Sequence, residues 1–155
     1  MKYSPTLELL IRQEIAVKHL YEAFAIMFQE CEEFWTDLAK AEQAHADLLS
    51  QLRTRKGMET WFIDEMQLSP EMVKKSTAYV NEKRELTLNG KIDLQQAFSL
   101  AENIERFLID GVFSKLDERP KITTPKAMLT LAEETRKHRE LVLQKQRVLF
   151  RNPLR

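Results

Sequence analysis

The chain has 155 residues, the size of one domain, long enough to bury a real core and too short to suggest two. Twenty-four Lys plus Arg balance 24 Asp plus Glu, so no net field draws it toward nucleic acid or an anionic membrane, and only the stretch 145–155 leans basic. The single cysteine, Cys31, excludes an internal disulfide and leaves no CxxC pair for zinc, rubredoxin-type iron or thiol exchange. No stretch approaches the roughly 18 apolar residues that a bilayer span requires, and the opening "MKYSPTLELLIRQE" lacks the apolar run of a signal peptide. A cytoplasmic protein is expected.

Three glycines, five prolines and 31% charged residues, in a background rich in Ala, Leu, Glu, Lys and Gln, predict an all-α chain. Helix 1 opens with Ser4 as N-cap and Pro5 in its first turn, and runs to about residue 29 on a stripe of Leu7, Leu10, Val17, Tyr21, Phe24 and Phe28. After a break at 30–32, helix 2 continues to about Arg53 with Phe34, Leu38, Leu48, Leu49 and Leu52 inward. Between 54 and 92 the pattern weakens. Ser69 and Pro70 cap a shorter helix there that ends before Asn89 and Gly90, and the whole stretch reads as a connection. Trp61, Phe62 and Met66 are its exposed apolar candidates. Helix 3 spans 93–115, and helix 4 runs from Thr124 as N-cap to about Phe150. Tight turns make 1 and 2 antiparallel, and likewise 3 and 4, while the long connection has length enough to cross a bundle end to end. The expected architecture is a single domain over 1–155, a four-helix bundle with one long crossover.

Several ionisable residues fall on the apolar stripes. Glu14 lies four residues after Leu10 and three before Val17, and Glu42 and His45 stand between Leu38 and Leu49. On helix 3, Glu105 lies between Ala101 and Leu108; on helix 4, His138 lies between Leu131 and Leu141. An unpaired charge in an apolar interior costs several kcal/mol, so each needs a partner or must be neutral. The second half is also a faint copy of the first. "LAKAEQAHADLL" and "LAEETRKHRELV" carry Leu-Ala at the same offset before His45 and His138, which aligns Glu42 with Thr135. A carboxylate from each of two helices plus Glu-x-x-His from each of two others is the ligand set of dinuclear carboxylate sites in bundle cores, and this mixture of oxygen and nitrogen donors suits iron or manganese.

With "EIAVKHLYEAFA" starting at Glu14, "EQAH" at 42–45, "LAENIE" ending at Glu105, and His138, the chain resembles the rubrerythrin branch of the ferritin-like superfamily over nearly its whole length. The resemblance implies a ferritin-like bundle and a non-haem di-iron centre acting on peroxide or dioxygen. It carries Glu14, Glu42, His45, Glu105 and His138 over as ligands of two iron ions, with Mn or Zn as other occupants. This sequence departs from the family pattern at Thr135, where a second carboxylate is expected, and in having no rubredoxin-like domain, so an external electron donor is required. Glu102, one turn before Glu105, is the candidate replacement carboxylate.

The competing reading is a degenerate bundle that serves as a binding or assembly module; a homo-oligomer is expected under either. A third has one metal, perhaps zinc, on Glu14, Glu42 and His45 alone. His19 is expected at the surface, and Trp35 and the methionines are read as packing. No phosphate loop, hydrolase elbow or nucleic-acid signature is present.

Overall fold

The computed structural model describes residues 5–118 and 124–151, and among them every regular element is helical. The chain forms two compact units, Met1–Lys91 and Ile92–Arg155.

The first unit is built on α1 (Pro5–Met27) and α2 (Glu32–Arg53), joined by a 3₁₀ turn at Gln29–Cys31. Neither helix contains glycine or an internal proline, and both carry the long unbranched side chains that lose little freedom when helical. The reversal uses no glycine or proline either. Phe28 leaves the helical region (φ −122°, ψ 74°), its N–H still bonds the Phe24 carbonyl at 2.8 Å, and its own carbonyl accepts from Cys31 N–H at 2.9 Å. The antiparallel register is set by Arg53 paired with Glu8 at one end and by Lys18 Nζ donating to Gln43 Oε1 at 2.9 Å further along. Inside, Leu7, Leu10, Val17, Tyr21 and Phe24 meet Trp35, Leu38, Leu49 and Leu52, all buried. Trp35 sits edge-on to Phe24 at 4.8 Å and 5.6 Å from Tyr21. The expected start of the first helix at Ser4 lies outside the described residues.

The connection is more than a crossover. After α3 (Met58–Trp61) and a π turn at Phe62–Met66 comes α4 (Pro70–Leu88), 19 residues long rather than a short helix. Ser69 caps it as expected, its hydroxyl accepting from Met72 N–H. Its far end is a Schellman closure, with Gly90 at φ +73° donating to the Thr87 carbonyl and Lys91 to the Leu86 carbonyl. α4 packs on α1. Gln13, fully buried, donates to Ser76 Oγ at 2.9 Å and accepts from Thr77 Oγ1 at 2.7 Å, while Val73 and Val80 are sealed from solvent. The exposed apolar candidates also need correction: Phe62 and Met66 are buried and Trp61 is half-buried. Phe62 and Met66 bracket the π turn and share its inward face, which leaves Ile63 as the exposed side chain.

The second unit opens with α5 (Leu94–Phe107). Asp93 and Gln96 form a reciprocal capping box: Gln96 N–H donates to Asp93 Oδ1 at 2.8 Å and Asp93 N–H to Gln96 Oε1 at 2.9 Å. Winding continues through a π turn at Leu108–Phe113 into α6 (Ser114–Glu118). The long last helix, α7 (Lys126–Phe150), runs antiparallel to α5, with Phe98 against Phe150 and Glu102 against Arg139. Its N-cap is Pro125 rather than Thr124. Pro125 itself is extended (φ −60°, ψ 136°), so the first helical residue is Lys126 and the cap moves one residue on. Leu141, expected inward, is 48% exposed, and Val142, one turn after His138, takes its place in the core. Among the described residues no helix is long and apolar enough to cross a membrane.

Candidate metal centre

In the first unit three ionisable side chains meet. The register that pairs Glu8 with Arg53 and Lys18 with Gln43 brings Glu14 of α1 level with His45 of α2, and Glu42 lies one turn before His45 on the same face. His45 Nδ1 stands 3.7 Å from Glu14 Oε1 and 3.8 Å from Glu42 Oε1, and each side chain is only 1% exposed. Those gaps exceed hydrogen-bond length. Glu14 Oε1 is buried with no hydrogen-bond partner among the described residues.

The electrostatics reflect crowding of two carboxylates away from water. Burial, and then repulsion from Glu42, raise the Glu14 pKa well above 4.5, with His45 opposing only in part. For His45, burial works against the cation, but Glu14 and then Glu42 outweigh it and push the imidazole up to about 11. Both shifts favour the protonated forms.

In the second unit Glu105 is fully buried on α5 and His138 is buried on α7. Thr135 is buried too, its Oγ1 donating to the Leu131 carbonyl at 2.7 Å, so the hydroxyl is used within its own helix. Glu102 is less enclosed, its side chain 14% exposed, and it accepts a 2.9 Å hydrogen bond from Arg139 Nε with Arg106 a further 3.7 Å away. Arg139, next to His138 in the chain, is thus the guanidinium that engages Glu102. Gln13, whose amide sits beside Glu14 in the chain and is fully buried, was also missed; glutamine next to an apolar stripe gives no warning of burial. Tyr21 and Trp35 are core, and His19 is exposed, as expected.

The donors fit a first-row divalent metal. Atoms bound about 2.1 Å from one ion stand about 3.0–3.4 Å apart, a few tenths of an ångström less than the gaps around His45. A cation entering there would satisfy the lone Glu14 oxygen and replace the protons that the cluster now holds. Glu42 and His45 in the first unit, and His138 in the second, are all buried residues of types that ligate metals.

Compared with family models, curated proteins and solved structures, the chain matches none. Fold and site define its class: an all-helical protein with a buried Glu/His cluster suited to a metal.

Proposed function

We propose that this protein binds a redox-active first-row metal, iron or manganese, through Glu14, Glu42 and His45 of the first unit. The observation that carries the reading is the His45 imidazole standing 3.7 and 3.8 Å from two carboxylates, all three excluded from solvent. Burial of such groups is costly unless something repays their lost hydration, and a cation does so for carboxylates and imidazole at once.

The rubrerythrin-like resemblance supplies the finer part of the proposal: a ferritin-like bundle whose metal centre acts as an oxidoreductase on peroxide or dioxygen, with electrons from an external donor, in a homo-oligomer. The bound metal would supply the electron transfer. The chain's own residues would supply the rest. Glu14 and Glu42 would hold the ion and neutralise it, His45 would add a neutral nitrogen donor, and the Tyr21, Phe24 and Trp35 packing keeps bulk water out of the α1–α2 core. Elemental analysis of protein purified without chelator tests this. Near-stoichiometric iron or manganese is expected, and the Glu14→Ala, His45→Ala double variant should lose it; unchanged metal in that variant would refute the reading.

The assembly-module alternative draws support from Thr135, which has committed its hydroxyl to Leu131. It loses support at Phe62 and Met66, which are buried and present no contact surface. A melting temperature unmoved by metal would favour it.

A further inference from the structure

We infer that the cluster takes one divalent cation rather than two, held by Glu14, Glu42 and His45. This rests on the metal reading above and departs from the ion count that the resemblance implies.

Charge decides it. Among the described residues of the first unit the buried carboxylates are Glu14 and Glu42. Glu14 and Glu42, both facing His45 Nδ1, bring two negative charges to one place, and a single divalent ion cancels them while imidazole donates without adding charge. The first ion therefore leaves a neutral interior. A second brings two more positive charges, against which the described buried residues of the first unit offer no further carboxylate, so the cluster would carry an uncompensated positive charge away from water.

The test is a titration of the chelator-stripped full chain with Co(II), a probe that accepts oxygen and nitrogen donors, following the cobalt absorption and counting ions by elemental analysis after desalting. Saturation at one ion per chain is expected. Two ions of comparable affinity would overturn this inference while leaving the metal reading intact; none would overturn both. Glu42→Gln keeps the side-chain shape and removes one of the two charges beside His45, so it should lose the bound ion; a folded Glu42→Gln chain that still takes one would overturn the assignment to this cluster, and the wild-type count decides between one ion and two in either case.

Discussion

Glu14 and His45 each keep a proton to higher pH in the folded chain than they would alone, and this has a consequence for pH. His45 titrates near 11 in the folded chain against 6.5 for a free imidazole. A group whose pKa rises on folding contributes its full stability below the unfolded value and loses it as pH climbs through the folded one. The metal-free protein is therefore expected to lose stability progressively between pH 6.5 and about 11. Glu14, raised above 4.5, acts in the same direction from a lower starting point. Metal affinity should run the other way, rising with pH over that window as the ion displaces protons. Melting curves of stripped protein from neutral to alkaline pH check the first trend, and a flat profile would dismiss the buried ion pair. Glu14→Gln keeps the shape and removes the charge. It should weaken metal binding by more than the roughly 10–100-fold that loss of a supporting group brings, measurable by competition with a chelating dye.

At the scale of elements, ends and interfaces rest on a few polar contacts. The Asp93–Gln96 box satisfies two backbone donors at the start of α5, and Asp93→Ala should cost about 0.5–2 kcal/mol in urea denaturation without altering metal content. The α1–α4 seam rests partly on Gln13. Replacing it by Ala removes the partner of both Ser76 and Thr77, and a loss of about 1–3 kcal/mol is expected by the same measurement. That seam also explains why α4 reads as a mere connection. Its inward side mixes Val73 and Val80 with Ser76, Thr77 and Thr87, so a helix bonded partly through hydroxyls has no continuous apolar stripe to announce it.

At the scale of the whole molecule, a metal that binds only the folded chain must stabilise it. At about 100 times its dissociation constant the gain is about 2.7 kcal/mol, so adding metal to stripped protein should raise the melting temperature and chelator should reverse the rise. Calorimetry with and without chelator reads this directly.

Much of this protein is legible in the residues themselves. Pro70, Gly90 and Asp93 mark helix ends through local backbone preferences, and the 3.6-residue period places Glu14, Glu42, His45, Glu105 and His138 on inward faces, where all five are buried. Such signals act within a turn or two of chain, and a single sequence displays them fully. The reversal at Phe28, the seating of α4 on α1, the choice of Val142 over Leu141 and the capture of Glu102 by Arg139 depend on what lies opposite in space, often dozens of residues away. Local propensity carries no record of those neighbours. Tertiary packing alone settles them, because the energy of burying or pairing a side chain belongs to both partners at once.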